Sequence, residues 1–438
     1  MSQFPQKRKM HIAMLGWEFP PFVSGGLGVH CYELTKCLTK LGVEVDFYMP
    51  RTGKQVDGTE VTVLRMLPDG TVVKVKNQDY GLNVIQVSSI SKTGRLSAYP
   101  EDSAEYRVQQ RKYIEKDTEE LSEEVDVGER GLYGLNFMDD VENYNSRCIE
   151  VLLKNHKRRN YVLLHNHDWL TVPAAIKIKS LAGIPRVQTI HSTEFDRAPI
   201  PWDRIMKMER SGIADANRVI AVSRLTMNQI AENYGADKLK IRVVYNGVDP
   251  SKFDKRDPNN PSRIVLFLGR LTEQKGPFHF LWTAKRVLEK EKNVRFLIVG
   301  EGALLPFLIQ ETFKLGIQDN VIFTGYIPAD QLKKVYSKSD IYVMPSLSEP
   351  FGITALEAMC SGTPVVLSKN SGVGEATKHN LQADFWNIDA MAEYIIALLK
   401  YPALSNTLTR NELIEVKKFT WEKCAAKTFS VYKEVAKA

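Results

Sequence analysis

The chain alternates between short aliphatic runs and longer segments in which apolar residues recur at helical spacing. The runs include HIAMLGW, VEVDFYM, YVLLHNH and RVIAVS in the first half, and RIVLFLGR, RFLIVG, IYVMPS and PVVLS in the second. Strands that alternate with helices form parallel sheets covered on both faces. The pattern therefore predicts an α/β protein.

The alternation pauses at residues 245–263, a polar stretch dense in Asn, Asp and Pro. We therefore predict two doubly wound, Rossmann-like domains that face each other across a cleft. The first spans residues 1–245 and the second residues 246–419. A closing helix at residues 420–438 is expected to return to the first domain. Ligands of such sheets lie beyond the carboxyl ends of the strands, so motifs at strand ends deserve most weight.

The segment at residues 97–134 departs from this pattern, because it is highly charged and poor in aliphatic residues. Such a composition buries little apolar surface and predicts an exposed insertion, helical or mobile.

Composition narrows the class of protein. The chain has 438 residues, 43% hydrophobic and 25% charged, with no apolar run near the roughly 20 residues that a membrane span requires. The basic N-terminus lacks a convincing export signal, and the five scattered cysteines contain no C-x-x-C pair. A cytoplasmic protein without a transmembrane segment is expected, and its oligomeric state stays open.

The net charge of +7 arises from basic residues interspersed with acidic ones, rather than gathered in one stripe. Nucleic-acid binding is therefore not expected. A mild positive excess also suits an enzyme that handles phosphorylated substrates.

The first strand is followed by a glycine-rich loop that contains Gly25 and Gly26, directly before a helical segment. Glycines at a helix N-terminus let backbone N–H groups approach an anion. The spacing is not that of the dinucleotide fingerprint, and no P-loop lysine follows, so a nicotinamide cofactor is not expected. A tight turn without a ligand is the alternative.

Two further strands of the first half end in polar residues. One delivers His165, His167 and Asp168, and the next delivers His191. His165 and His167 would share one face of a continuing strand, which raises the question of a metal. No third ligand is near in sequence, so packed or hydrogen-bonded histidines are expected instead, and no metal is predicted.

In the second half, GRLTEQKG places Arg270 and Lys275 at a strand-to-helix turn. A guanidinium and an ammonium at such a turn suit a diphosphate, although a solvated loop with incidental charges remains the alternative. The next strand ends in the glycine turn of Gly300 and Gly302.

The segment SEPFGITALEAM contains Glu349 and Glu357, eight positions apart. The pattern puts Glu349 on a turn and Glu357 inside a helix that ends at Gly362. Backbone N–H groups at the start of that helix, in Gly352, Ile353 and Thr354, would be ready for phosphate oxygens. Nothing in the pattern makes the two carboxylates converge on one bond, as a glycosidase pair would.

In order along the chain, PPFVSGGLG, HNHDW, TIHSTEF, AVS, VVYNGVD, GRLTEQKG, GEG and PSLSEPFGITALEA resemble the motifs of the retaining glycosyltransferases with the GT-B fold. The resemblance is to glycosyltransferase family four and to the glycogen and sucrose synthases. It spans nearly the whole chain, and the E-x7-E motif of the family is complete.

The resemblance implies a nucleotide diphosphate sugar, UDP- or ADP-glucose, as donor substrate, with no permanently bound cofactor. Arg270 and Lys275 would neutralise the departing diphosphate. Gly25 and Gly26 would cover it from the opposite domain, and Gly302 of the GEG motif would join the donor-binding positions.

The same resemblance assigns the E-x7-E segment to the donor. Glu349 would bind hydroxyl groups of the sugar, and Glu357 would hold the ribose. The N–H groups of Gly352, Ile353 and Thr354 would contact the sugar or a phosphate.

His191 would lie at the far side of the sugar and Asp168 near the acceptor. Enzymes of this type are thought to work by front-face attack, in which the leaving phosphate oxygen takes the acceptor proton. One departure concerns Val23 and Ser24, which stand where bacterial-type glycogen synthases have Lys-Thr before the glycine pair.

The expected function is therefore transfer of a sugar, with glucose foremost, to a carbohydrate hydroxyl with retention. A family-four enzyme with a lipid-linked or small-molecule acceptor is the nearest alternative, and residues 154–160, KNHKRRN, are its only candidate membrane patch. A nucleotide-sugar epimerase or a phosphorylase on the same plan is a further alternative.

Overall fold

The computed structural model describes residues 10–19, 25–51, 62–66, 72–75, 82–89, 137–256 and 263–436. The expected insertion at 97–134, and Val23 and Ser24, lie outside the described residues. Two sheets with helices on their faces form the fold.

The first sheet contains nine strands in the order β4-β3-β5-β2-β1-β6-β7-β8-β9. Their bounds are β1 His11–Leu15, β2 Glu44–Arg51, β3 Thr62–Met66, β4 Val72–Val75, β5 Leu82–Ser89, β6 Leu163–His167, β7 Arg186–Ile190, β8 Arg218–Ala221 and β9 Ile241–Val243.

The second sheet contains six parallel strands in the order β12-β11-β10-β13-β14-β15. They are β10 Ile264–Leu268, β11 Arg295–Val299, β12 Val321–Gly325, β13 Ile341–Met344, β14 Val365–Ser368 and β15 Leu381–Ala383. Counted from β10, this is the 3-2-1-4-5-6 order of a Rossmann fold.

Fourteen α-helices are present in the described residues, numbered here in chain order. Around the first sheet they are α1 Gly26–Lys40, α2 Phe137–Arg159, α3 Val172–Ala182, α4 Glu194–Arg197, α5 Asp203–Asp215 and α6 Arg224–Tyr234. Those that follow are α7 Pro277–Lys290, α8 Leu305–Lys314, α9 Ala329–Lys338, α10 Ile353–Ser361, α11 Gly372–Ala376, α12 Ile388–Lys400, α13 Pro402–Glu415 and α14 Trp421–Ala436. Within this set, no helix is both long and apolar enough to cross a membrane.

One edge of the first sheet differs from the predicted parallel arrangement. Strand β3 runs antiparallel to both β4 and β5. The connection at residues 67–71 is too short for the crossover that parallel neighbours require, so β4 pairs antiparallel with β3.

The last helix packs on the first domain. Trp421, Cys424, Val431 and Tyr432 of α14 are buried in the same core as strands β1, β2 and β6. The chain thus passes between the domains twice, once near Val248 and once near Phe419. The two connections lie side by side, and the Val248 N–H donates to the Phe419 carbonyl at 3.0 Å.

Direct contacts also join the domains beside the cleft. The Ser348 hydroxyl donates to Asp196 Oδ1 at 2.5 Å. The Glu375 carboxylate of α11 accepts the N–H groups of Arg224 and Leu225, at 2.6 and 2.9 Å, at the start of α6. The cleft described below is therefore seen in a closed arrangement.

Candidate functional site

The site lies where the strand order of each sheet reverses, between β1 and β6 in the first sheet and between β10 and β13 in the second. Loops at such a point diverge to opposite faces and leave a crevice for a ligand. One cavity spans the two crevices. It is lined by eight of the predicted positions, namely Gly26, His191, Arg270, Lys275, Glu349, Gly352, Ile353 and Thr354.

Lys275 and Glu349 form the charged centre of this cavity. Lys275 Nζ donates to Glu349 Oε2 at 2.7 Å, and Ser346 Oγ lies 3.3 Å from the same oxygen. Arg270 lines the wall beside them. Both partners of the ion pair are largely buried, so the pair holds an ammonium and a carboxylate ready inside the cleft.

A tight backbone turn sets the direction of Lys275. The residue ends a 3₁₀ turn, and Gly276 follows with φ +68°. A Cβ at Gly276 would lie 2.1 Å from the Pro345 carbonyl oxygen, so only glycine lets the loop after β10 approach the end of β13. This approach brings Lys275 to the turn that holds Glu349.

Glu349 lies on the turn before α10 and Glu357 lies within that helix, which confirms the predicted placement of both. The Glu349 N–H donates to the Asn370 carbonyl and its carbonyl accepts from the Gly372 N–H, each at 2.9 Å. Helix α10 begins at Ile353 after Gly352, with φ +101° and no side-chain cap. Its N-terminal dipole therefore points its positive end into the cavity.

Glu357 does not line the cavity. It accepts a hydrogen bond from the Tyr336 hydroxyl at 2.8 Å, and burial raises the pKa of its carboxyl while that bond and the Lys252 ammonium oppose the rise. The two glutamates of the E-x7-E segment thus occupy different environments, one ion-paired in the cavity and one held by a tyrosine behind it.

Asp168 is buried behind the cavity wall rather than in it. Its Oδ1 accepts the backbone N–H of His191 at 2.7 Å, and burial raises the pKa of the carboxyl to about 7. The residue has φ +53° and ψ −177°, which lies outside the left-handed helical region and close to a region that glycine alone commonly adopts. Its contact with His191 ties the loop after β6 to the loop after β7.

The histidines at these strand ends have separate environments. His165 is packed and hydrogen-bonded as expected, through Nδ1 to the Tyr432 hydroxyl at 2.6 Å and through Nε2 to Thr189 Oγ1 at 2.7 Å. His167 Nδ1 lies 3.0 Å from His191 Nε2. His30, which the sequence did not single out, contacts both His167 and His191.

The glycine positions divide between cavity and scaffold. Gly26 begins α1, lines the cavity, and would bring a Cβ to 3.7 Å from Ile353 Cδ1 of the other domain. The Gly25 N–H donates to Glu18 Oε2 at 3.2 Å. Gly302 lies outside the cavity, where a Cβ would be 2.4 Å from the Leu271 carbonyl oxygen, so it permits close packing of two loops.

Several cavity residues were not predicted. Asn246, Tyr342 and Ser346 line it, and Asn246 Oδ1 lies 2.8 Å from His30 Nδ1. The Tyr342 hydroxyl lies 2.8 Å from Thr354 Oγ1. Asn246 belongs to the interdomain connection, and the VVYNGVD motif was the one signal that could have found it.

Two family descriptions match the chain. The description "Glycosyltransferase Family 4" matches residues 113–252, and "Glycosyl transferases group 1" matches residues 248–414. A D-inositol 3-phosphate glycosyltransferase of Segniliparus rotundus is 32% identical, over 64% of this chain and 67% of the relative. The chain belongs to the family-four glycosyltransferases.

Other relatives align with this glycosyltransferase over almost its whole length. An uncharacterized glycosyltransferase of Methanocaldococcus jannaschii is 29% identical over 97% of this chain and 98% of its own. A glycogen synthase of Mycobacterium tuberculosis is 25% identical over 97% and 94%. The predicted likeness to the glycogen synthase type of family-four glycosyltransferase is thereby confirmed.

Solved structures confirm the predicted GT-B fold. Sucrose-phosphate synthase from Thermosynechococcus elongatus superposes with a TM-score of 0.71 at 19% identity, over 97% of the glycosyltransferase and 98% of the other chain. The Anabaena protein HepE, solved with UDP and glucose, gives a TM-score of 0.65 at 16% identity, over 97% and 100%.

Proposed function

We propose that this enzyme transfers glucose from a nucleotide diphosphate glucose to a carbohydrate hydroxyl with retention at the anomeric carbon. The observation that carries the proposal is the convergence of Arg270, Lys275, Glu349 and the N-terminus of α10 in one interdomain cavity. Two cations and a helix dipole suit the diphosphate, and a carboxylate suits sugar hydroxyls.

In the proposed reaction, the bond between the anomeric carbon and the diphosphate oxygen breaks. The acceptor oxygen bonds to the same face of that carbon, and its proton passes to the leaving oxygen. Arg270 and Lys275 stabilise the charge that develops on the diphosphate. The products are the nucleoside diphosphate and the extended carbohydrate.

The remaining roles follow the family assignment. When the donor enters, Lys275 exchanges part of its contact with Glu349 for the diphosphate, and Glu349 turns to hydroxyl groups of the sugar. Gly25 and Gly26 cover the diphosphate from the first domain, with Gly302 among the donor-binding positions. Glu357 holds the ribose, His191 contacts the sugar, and Asp168 serves the acceptor side through its bond to the His191 N–H.

Relatives and structural neighbours support the choice of substrates. A glycogen synthase is among the full-length relatives, and the Anabaena neighbour binds UDP and glucose. UDP-glucose and ADP-glucose are the donors to test first, with an α-glucan as acceptor. We place the enzyme in the cytoplasm, since all five of its cysteines are free.

A lipid acceptor receives less support. Of the basic segment at residues 154–160, Arg159 turns inward to the buried Asp46 carboxylate at 3.3 Å, whereas Lys154, Lys157 and Arg158 stay exposed. Fewer charges of that segment are therefore left to face anionic lipid headgroups.

The test measures nucleoside diphosphate release from each donor, with and without acceptor, in Lys275→Ala and Glu349→Ala. We expect each change to lower acceptor-dependent transfer by about 10²-fold or more, as the loss of a preorganised charge does elsewhere. Lys292→Ala and Glu393→Ala, which alter exposed residues of the same types, are matched controls and should transfer normally.

Wild-type turnover in both site variants would refute the proposal. Conversion of the donor without acceptor would point to an epimerase, and a requirement for inorganic phosphate would point to a phosphorylase. The anomeric configuration of the product, read by NMR, tests retention separately.

A further inference from the structure

A second cavity lies at the hinge, where the two connections between the domains run side by side. The volume of this hinge cavity is about 290 Å³, close to the lower end of the range for small-molecule sites. The two connections and helix α14 all contribute to its walls, through Tyr245, Asn246, Lys418, Phe419, Lys423 and Lys427. A ligand bound there would touch both connections and the last helix at once.

The charged residues in the walls of the hinge cavity are all basic. Lys418, Lys423 and Lys427 line it, and no aspartate or glutamate of the described residues does. Within that part of the chain, none of the three lysines forms an ion pair with a carboxylate. Lys423 and Lys427 are four positions apart on α14, so their like charges repel each other on one face of the helix. An anion in the cavity would relieve this repulsion.

Local contacts hold two of these lysines at the cavity. Lys423 Nζ donates to the Lys418 carbonyl at 3.1 Å, which joins α14 to the second connection. An ammonium has three N–H donors, so Lys423 keeps two of them for a ligand. Lys427 Nζ lies 5.7 Å from the centroid of the Tyr245 ring, within the range of a cation–π contact.

An aromatic wall stands beside the lysines. The rings of Tyr245 and Phe419 both line the cavity, with their centroids 6.2 Å apart. Lysine binds phosphate groups as a point charge, and a phosphomonoester carries a charge of about −1.5 to −2 at neutral pH. Three ammonium groups match that charge, and the aromatic rings suit the organic part of such an ester better than they suit a bare inorganic ion.

We propose that the hinge cavity binds a small phosphomonoester, which favours the closed arrangement of the two domains. Tyr245 links the cavity to the contact between the domains, because its hydroxyl donates to Glu375 Oε1 at 3.2 Å. The same carboxylate accepts the N–H groups at the start of α6. A ligand that fixes Lys427 and Tyr245 therefore supports the bond through which the second domain caps a helix of the first.

The hinge cavity is also connected to the cavity of the candidate site. Asn246 lines both, and its Oδ1 lies 2.8 Å from His30 Nδ1. A ligand that favours the closed arrangement raises the affinity of the cleft for the nucleotide, and the nucleotide raises the affinity for that ligand by the same factor. The binding of a phosphomonoester stands on the hinge cavity alone, whereas its effect on the donor rests on the proposed function.

The test titrates phenyl phosphate into the full-length protein at low salt, in phosphate-free buffer, by isothermal titration calorimetry. At about pH 8 the probe is a dianion. We expect one equivalent to bind with a Kd below about 1 mM, and inorganic phosphate to bind about 5-fold more weakly or worse. Failure of the wild-type protein to bind phenyl phosphate at this affinity would overturn the proposal, and equal affinity for inorganic phosphate would refute the assignment to an organic ester.

Variants locate the anion. Lys418→Ala and Lys427→Ala should each weaken binding by about 5-fold or more, since each removes one charge from the cavity. Lys417→Ala changes an exposed lysine that does not line the cavity and should bind normally. Circular dichroism checks that each variant is folded. Unchanged affinity in both cavity variants would refute the site, and so would a loss of binding in Lys275→Ala but not in Lys427→Ala, which would place the anion in the cleft.

The effect on the donor is measured separately, as the Kd of UDP and of ADP with and without saturating phenyl phosphate. We expect nucleotide binding to become about 2- to 10-fold tighter in the wild-type protein and to stay unchanged in Lys427→Ala. Unchanged or weaker nucleotide binding in the wild-type protein would refute the link between the two cavities. Binding of phenyl phosphate without any binding of a nucleotide would refute the proposed function but not the hinge site.

Discussion

The buried carboxyl of Asp168 both supports the local structure and makes the stability of the protein depend on pH. Its oxygen accepts the His191 N–H, which favours the charged form, but burial prevails and raises its pKa from 3.8 to about 7. In the unfolded chain the carboxyl would ionise near its ordinary value. The folded state therefore binds more protons than the unfolded state between about pH 4 and 7.

The sign of the pH effect follows from this difference. A group with a raised carboxyl pKa lowers the free energy of unfolding as pH increases through its window, and the loss is complete above the folded pKa. Asp168→Asn keeps the oxygen acceptor but cannot ionise. We expect the variant to gain stability relative to wild type at pH 8 but not at pH 4, as measured by urea unfolding at both values. Parallel pH profiles for the two proteins would contradict this expectation.

Local patterns predicted the site residues that directly follow a strand. Lys275 and Glu349 each follow a strand, and strand ends meet at the switch point of a sheet, so their convergence needed only the order of elements. Asn246 lies on the interdomain connection and His30 on helix α1. Tertiary packing brings both residues to the site, and no hydrophobic period or motif spacing in the sequence predicts that packing. Gly25, Asp168, Gly302 and Glu357 were predicted at the site, yet they do not line the cavity.

Among the elements, the turn between β10 and α7 depends on one glycine, Gly276. Gly276 combines a positive φ with a Cβ position 2.1 Å from the Pro345 carbonyl oxygen. A side chain there would strain the backbone and also push the end of β13 away from the loop that carries Lys275.

Gly276→Ala should therefore destabilise the second domain by about 2 kcal/mol or more, since it adds a steric clash to the cost of the backbone conformation. Gly316→Ala is the matched control, because Gly316 has φ +65° with open space around it and would lose only the backbone contribution, about 1 kcal/mol. Thermal unfolding of both variants measures the difference. Equal losses of stability in the two variants would show that the close approach of Gly276 to Pro345 does not affect the free energy of unfolding.

At the antiparallel edge of the first sheet, the hydrophobic pattern of the sequence does not predict the strand directions. Strands β3, β4 and β5 lie among short connections, and the alternation of strand and helix that predicts a parallel sheet stops there. Elsewhere the alternation persists, and the parallel order follows from right-handed crossovers that leave few alternatives.

At the scale of the whole molecule, polar contacts between the two domains help to hold the cleft closed. The Glu375 carboxylate accepts two backbone N–H groups at the start of α6, and the Tyr245 hydroxyl donates to it at 3.2 Å. Ser348 and Asp196 make a second contact between the domains. A helix N-terminus favours a carboxylate, so Glu375 acts as a cap supplied by the opposite domain.

Glu375→Ala should shift the domains toward an open arrangement. We expect a larger radius of gyration by solution X-ray scattering and a nucleoside diphosphate affinity about 2- to 10-fold weaker, because a smaller fraction of molecules is competent to bind. Glu393→Ala removes an exposed glutamate of α12 and serves as control. Unchanged scattering and affinity in Glu375→Ala would show that the cap does not set the domain arrangement.

The return of α14 to the first domain has a consequence for biosynthesis. The second sheet, residues 264–383, is continuous in sequence, whereas the core of the first domain includes Trp421, Val431 and Tyr432 from the far side of that sheet. Domains generally fold as units while the chain leaves the ribosome. The second domain can therefore complete its core before α14 has been made. The first domain is translated earlier, but its apolar surface stays exposed in the nascent chain until α14 packs on it.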